Sequence, residues 1–397
     1  MVKLFYQSNQ FVFLRRKGKS CVIMVAHPFS LAGYTACQPG ILFRNPKPHV
    51  RSVQAYFPTV VAIDRDHLGA TVVLAEAFEA ANMHVVYFES TDGGKTWSRK
   101  STVTEATADS SSSTVGRIGL LPVGTLHVMV TRHERHFDDE GLTHGSSIAM
   151  RRARVEVYRS TDRGATWSGP ELPTMPITGC AFELCSGITS LEDGTVLWPA
   201  ATWPTSVEEV HPSSFRTGAF VSKDDGHTWS RWMEAYPNDR NIYWEAKITQ
   251  LQDLRLLGVA WVHDLDAGCD LPNHYVIGNA DGSGWSAPQS TGIRGQTLSS
   301  VVLDDGKILN VYRRVDQPGL WASVSTIEGD QWVNQEDQLL WGGHKASGDS
   351  EGIREHFATL RFGAPWILKL PGGTIFIAFW AVVEGVSQIN TITLLKK

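Results

Sequence analysis

Three octapeptides, STDGGKTW at 90–97, STDRGATW at 160–167 and SKDDGHTW at 222–229, fit one pattern, S-x-D-x-G-x-T-W. A motif recurring in one chain marks a recurring supersecondary unit, so this chain must be built from repeats. Each copy begins where an apolar run ends (VVYFES, VEVYRS, GAFVS). Its Asp is placed to accept hydrogen bonds from turn amides, and its Trp to pack between neighbouring strands. Degenerate copies, NADGSGW at 279–285 and STIEGDQW at 325–332, continue the series. Asp92, Asp162 and Asp224 are therefore read as structural, because groups repeated around a ring cannot all face one pocket.

Each motif follows an apolar strand, a tight turn and a second strand: TVVAIDRDHLGATVVLA (59–75), RIGLLPVGTLHVMV (117–130), GITSLEDGTVLWPA (187–200), KITQLQDLRLLGVAW (247–261), SSVVLDDGKILNVY (299–312) and WILKLPGGTIFIAFW (366–380). Glycines 69, 124, 194, 306 and 373 are assigned to the turns, with Leu254 in the fourth, at spacings of 52 to 70 residues that suit a four-stranded propeller blade. With 36 Gly, 18 Pro and 14 Trp in 397 residues, the composition agrees with many short strands joined by tight turns. The expected fold is all-β, a six-bladed β-propeller of four-stranded antiparallel blades forming one domain over 1–397. Segment 1–50 is expected to close the ring with the C-terminal strand 386–397, the strands FVFL and CVIMVA (11–26) sharing a blade with QINTITLLK (388–396).

A net charge of −5, from 36 basic and 41 acidic residues, provides no basic field for a phosphate backbone, and nucleic acid is not an expected partner. The apolar runs are too short to span a bilayer. The N-terminus turns basic after its apolar residues, the wrong order for a signal peptide, so a cytoplasmic location and no membrane partner are expected. Five scattered cysteines without a CxxC pair indicate neither zinc nor a disulfide framework. No metal or cofactor is expected.

The S-x-D-x-G-x-T-W copies resemble the Asp boxes, or BNR repeats, of the sialidase (neuraminidase) superfamily, whose six-bladed propellers carry them on the outer hairpins. The resemblance runs from about residue 50 to the end. It implies a glycoside hydrolase, exo-acting on a terminal acidic sugar, with a glycan as its partner. A propeller's ligand site lies at one end of its central channel, among the beginnings of the innermost strands. Here those beginnings are Tyr56-Phe57-Pro58, Arg117, Glu183, Trp244-Glu245, Gln296-Thr297 and Phe362-Gly363. Carboxyl groups that shuttle protons and aromatic faces that stack on a pyranose suit a sugar.

The resemblance further implies three substrate-binding arginines, a Tyr nucleophile activated by a Glu, and an acid/base Asp. Glu245, nine residues ahead of Leu254, matches the activating Glu. Arg313 or Arg314 matches the blade-five arginine, and since adjacent strand residues face opposite ways, one of the two faces the funnel. Arg314 is assigned to the substrate. Glu79 stands for the acid/base Asp, and Glu183 is a second carboxyl group beside Glu245. Tyr56 and Trp261 occupy the places of the other two arginines, and Ala364 that of the nucleophile, so ordinary sialic acid recognition loses two arms of its clamp. Arg51, Arg117, Arg132 and Arg135 are candidates to refill it. The cluster RHERHFDDEGLTH (132–144) lacks regular ligand spacing and is read as a solvated or substrate-covering loop. Two alternatives stay open: a non-catalytic carbohydrate- or protein-binding propeller, and a uronic-acid polysaccharide lyase using Tyr56 and His84.

Overall fold

The repeats fold into six antiparallel blades, five with their strands in chain order from the centre outwards and the sixth completed on its outer side by strands from the N-terminal part of the chain. The computed structural model describes residues 29–342 and 360–397 apart from 108–110, 138, 146, 185 and 238, together with the backbone of three short strands before residue 29. The innermost strands are Gln54–Ala62, Ser112–Leu120, Ala181–Leu184 continued by Thr189–Ser190, Asn241–Gln250, Gly295–Val302 and Phe362–Lys369. Successive blades touch around the ring and the sixth returns to the first. No α-helix occurs among the described residues, so none is long and apolar enough to cross a membrane.

The ring is closed by different strands from those expected. The last strand, Val386–Lys396, pairs antiparallel with Gly40–Arg44 and with Tyr34–Ala36. Within 11–26, residues 11, 17–18 and 24–26 lie outside the described residues. Val12–Arg16 and Lys19–Ile23 pair with each other, and Leu4–Tyr6 with the former, in a separate three-stranded sheet. Chain connectivity accounts for the difference: Gly40–Arg44 leads by a short connection into the first blade at Gln54, whereas FVFL is much further back. Cys37, Cys180 and Cys269 are unpaired, Cys185 lies outside the described residues, and the side chain of Cys21 is likewise not described.

Five inner hairpins share one turn. In each, an amide donates to the carbonyl four residues on, as in Leu121 N–H to Thr125 O and its counterparts at Leu191, Leu251, Leu303 and Leu370. The fourth residue is left-handed: Gly124, Gly194, Leu254, Gly306 and Gly373 have φ of 83°, 82°, 69°, 82° and 85°. Leu254 thus takes the glycine conformation without being one. The first blade departs from this set, because Gly69 lies within the strand Leu68–Ala75 and the turn is built on Asp64, whose carboxylate accepts from the amides of Asp66 and His67.

The three full motifs are staples between blades. Asp92 accepts from the Ser90 hydroxyl (2.8 Å), the Lys95 and Thr96 amides (3.0 and 2.9 Å) and the Thr96 hydroxyl (2.6 Å). Asp162 and Asp224 repeat the pattern with Ser160 and Thr166, and with Ser222 and Thr228. The closed turn lays its Trp on the preceding blade: Trp97 on Phe376, Trp167 on Tyr87 and Trp229 on His127, with ring centroids 5.4 to 6.0 Å apart. Its glycine must be a glycine, since a Cβ on Gly94 or Gly164 would enter the Phe376 or Tyr87 ring and both residues have positive φ. In the degenerate copies, Asp281 accepts from the Ser283 amide, while 325–332 lies in one long hairpin turning at Gly329.

Hydrogen bonds from Thr96 hold the Asp92 carboxyl down at about 2, against 3.8 ordinarily. Its contribution is therefore complete above about pH 4 and lost as pH falls through about 2. Asp92→Ala is expected to cost about 0.5–2 kcal/mol at pH 7, as loss of a side-chain cap does, seen as a lower melting temperature in thermal unfolding. The gap between variant and wild type should close towards pH 2; equal melting temperatures at pH 7 would contradict the staple.

Candidate active site

Four of the six innermost strands carry the same irregularity at the same depth. Between Tyr56 and Thr59, Trp244 and Lys247, Gln296 and Ser299, and Gly363 and Trp366, two residues oppose one on the neighbouring strand. The first of each pair is left-handed: Phe57 (φ 51°), Glu245 (47°), Thr297 (57°) and Ala364 (44°). None is glycine, so each costs roughly 1–2 kcal/mol. Such bulges re-aim a side chain, and strain of this kind concentrates at functional sites. All four residues line one cavity of about 400 Å³ at the end of the channel.

The cavity wall is largely aromatic: Phe57, Phe78, Phe182, Trp203, Trp244, Trp261 and Trp380. Trp203 stacks on Trp244 (5.6 Å, 10°), and Trp244 on His263 (5.2 Å, 14°), with Trp261 edge-on to Trp244 (5.0 Å, 82°). The end of segment 132–144 and the residues after it reach the cavity, with Leu142, Thr143, Ser147, Ile148 and Met150 on the lining. The segment is tied across the mouth by Arg135, which donates to the Glu79 carbonyl (2.6 Å) and the Ser113 hydroxyl (2.9 Å), and by the Leu142 amide, which donates to the Glu79 carboxylate (3.0 Å).

Glu79, Glu183 and Glu245 all reach this cavity. Glu183, on the third blade's inner strand, accepts from the Trp203 indole (3.2 Å). Its burial, and then the nearby charge of Glu245, push its carboxyl up from 4.5 to about 7. Glu245 has the Lys247 ammonium 3.9 Å away. His133 also lines the cavity; burial and Arg135 push its imidazole down to about 3, so it is neutral at pH 7.

Among the described residues, two guanidinium groups line the cavity, Arg117 and Arg313. Arg117 donates to the carbonyls of Leu184 and Phe57 (both 3.2 Å) and lies over the Phe57 ring. Arg313 is buried and grips the Gln296 side-chain oxygen with two N–H groups (3.0 and 2.7 Å) and the Phe362 carbonyl with a third (3.0 Å). Gln296 in turn donates to Asp270 (2.7 Å), whose other oxygen holds His263 (2.9 Å). A Cβ at position 363 would strike the Arg313 guanidinium, which is why a glycine stands there.

Several sequence expectations are corrected by these positions. Arg314 faces away from the cavity, held by Asp316 (2.8 Å) and Asp337 (2.5 Å) over the Trp321 ring; strand alternation puts Arg313 inside instead. Tyr56 is core, edge-on to Phe78 and Trp380, because the bulge turns Phe57 inward in its place. Gln296 stands behind Arg313 and does not line the cavity. Of the arginines considered for the clamp, Arg51 pairs with Glu76, Arg132 with the fully buried Glu156, and Arg135 serves the loops. His84 is bonded to the Asn82 carbonyl and, like Tyr56, is absent from the lining, so the lyase reading loses both its residues. Trp203 and His133 carry signals that sequence reading passed over: an aromatic residue ending the second strand of blade three, and alternation placing His133 and Thr131 on one face of Leu126–Glu134.

The folded Glu183 holds its proton to higher pH than the unfolded chain, so its contribution to stability is complete below 4.5 and is lost as pH rises to about 7. Glu183→Gln should therefore gain melting temperature relative to wild type on going from pH 5 to pH 8. A difference independent of pH in paired thermal scans would contradict the half-buried, protonated carboxyl group.

Residues 88–99 match the family model described as BNR/Asp-box repeat. Sequence comparison with curated proteins finds no match. Among solved structures, a protein described as of unknown function from Dyadobacter fermentans is 17% identical, with TM-score 0.72 over 92% of this chain and 100% of its own. Hadza microbial sialidase Hz136 is 16% identical, with TM-score 0.65 over 97% of this chain and 74% of its own. NanB sialidase from Streptococcus pneumoniae is 13% identical, with TM-score 0.62 over 94% and 71%. By its repeat and its architecture, this chain is an Asp-box β-propeller that shares its fold with these sialidases.

Proposed function

We propose that this protein is an exo-acting glycoside hydrolase that cleaves a terminal sugar from a glycan in the funnel. The observation that carries the reading is Glu183, a half-buried carboxyl group raised to about 7 beside a second carboxyl group, Glu245, on the wall of an aromatic cavity. Two carboxyl groups in environments that separate their roles are what glycoside hydrolysis requires. Glu183 gives its proton to the leaving glycosidic oxygen as the bond to the anomeric carbon breaks. Glu245 takes a proton from the water that attacks that carbon. Water is the nucleophile because Ala364, at the position where the sialidase resemblance expects a Tyr, offers no nucleophilic atom. Glu79, expected from sequence as the acid, is occupied by the Leu142 amide and shapes the mouth instead. The same alanine favours one second reading, a propeller that binds glycan without cleaving it.

Hydrolysis of a panel of terminal 4-methylumbelliferyl glycosides separates the two. Turnover is expected, falling as pH rises above about 7 where Glu183 loses its proton, and Glu183→Gln should reduce it by about 10²–10⁴-fold with the fold intact by circular dichroism. A near wild-type rate in that variant would overturn the assignment. Binding with no release of any sugar would leave the second reading.

A further inference from the structure

Ala181–Leu184 pairs antiparallel with the end of Val196–Trp203, in a register that sets Ala181 opposite Trp203 and Glu183 opposite Ala201. Glu183 and Trp203 therefore lie diagonally on one face of the blade, and the two alanines leave the room in which the large ring reaches the carboxyl group. There the indole Nε1–H donates to Glu183 Oε2 (3.2 Å). The ring is itself held. Phe215 meets it edge-on (5.6 Å, 81°), Trp244 stacks on it, and His263, anchored by Asp270, backs Trp244. A donor on a ring fixed in this way has one direction in which to point.

Resting on the glycosidase reading, we infer that Trp203 is a positioning residue for the acid, its indole N–H fixing the orientation of the Glu183 carboxyl group at the cavity wall and setting how readily that group releases its proton. An N–H donor bonds an ionised carboxylate more strongly than a neutral acid, so this bond opposes the burial and the Glu245 charge that hold the proton on. The other charged groups facing Glu183 are Lys247 on the inner strand of blade four and Arg117 on that of blade two, with Glu79, His133 and Arg313 elsewhere on the lining. An acid that binds its proton too tightly is a poor donor to the leaving oxygen. The indole keeps Glu183 from that extreme.

Trp203→Phe keeps an aromatic ring for the stack and removes the donor. Carbon-13 titration of the Glu183 carboxyl carbon in this variant should show a midpoint above that of the wild type, and the basic limb of the pH–rate profile should move to higher pH with it. kcat is expected to fall at least about tenfold with KM changed much less, the pattern of an interaction that acts on the reacting group. The wild-type protein supplies a reading that does not depend on the variant's folding: its Trp203 indole N–H resonance should titrate with the same midpoint as the Glu183 carboxyl carbon. A Glu183 midpoint left unchanged or lowered in Trp203→Phe, a loss confined to KM, or an indole resonance indifferent to the Glu183 titration overturns the inference. A raised midpoint in a protein that hydrolyses no glycoside supports it while defeating the glycosidase reading, so the two fail separately.

Discussion

The Asp92 carboxylate closes its turn on Thr96 so that Trp97 can lie on Phe376 of the blade before it, and the same contact recurs at Asp162 and Asp224. Most else in the structure depends on this contact. A blade is a four-stranded sheet that would otherwise expose apolar faces and an open edge. Pinning each outer hairpin to its predecessor fixes the angle between blades, and buried Val, Ile, Leu and Phe side chains fill the wedge between them. Where the motif decays in the later blades, other contacts take over: the Tyr275 hydroxyl donates to the Asp330 carbonyl and accepts from the Trp332 amide.

A ring held from outside can bear strain at its centre. Four left-handed, non-glycine residues at one depth would together cost several kcal/mol if each costs roughly 1–2, and such residues persist where the surroundings over-determine them. The same bulges give the funnel its character, turning Phe57, Glu245, Thr297 and Ala364 to the cavity. Behind them a polar chain, Arg313 to Gln296 to Asp270 to His263, fixes the stacked Trp244 and Trp203, and Trp203 holds Glu183. The acid's environment is thus set by residues from blades three, four and five together.

The fold was legible because its determinants are local and repeated: an Asp that caps a turn, a left-handed turn residue, an apolar strand on each side. Leu254 could be placed in the series for that reason. The site was legible by depth and blade, which brought Glu183, Glu245, Arg117, Trp244 and Trp261 to one cavity, but not by the residue that faces it. Tyr56 and Gln296 each stand one position before a bulged residue, and a bulge leaves no mark when its left-handed residue is Phe or Thr. Arg314 in place of Arg313 is the same one-residue error without a bulge. The closing strands escaped because FVFL and CVIMVA alternate as well as Tyr34–Ala36 does, and only chain connectivity separates them.

The central claim is that Glu183 keeps its proton near neutrality because it is half-buried beside Glu245. Carbon-13 NMR titration of the Glu183 carboxyl carbon, in the wild-type protein and in Glu245→Gln, reads it directly. The account predicts a midpoint near 7 in the wild type and a clearly lower one once the neighbouring charge is gone. A wild-type midpoint at the ordinary glutamate value of about 4.3, or one that Glu245→Gln leaves in place, would contradict it.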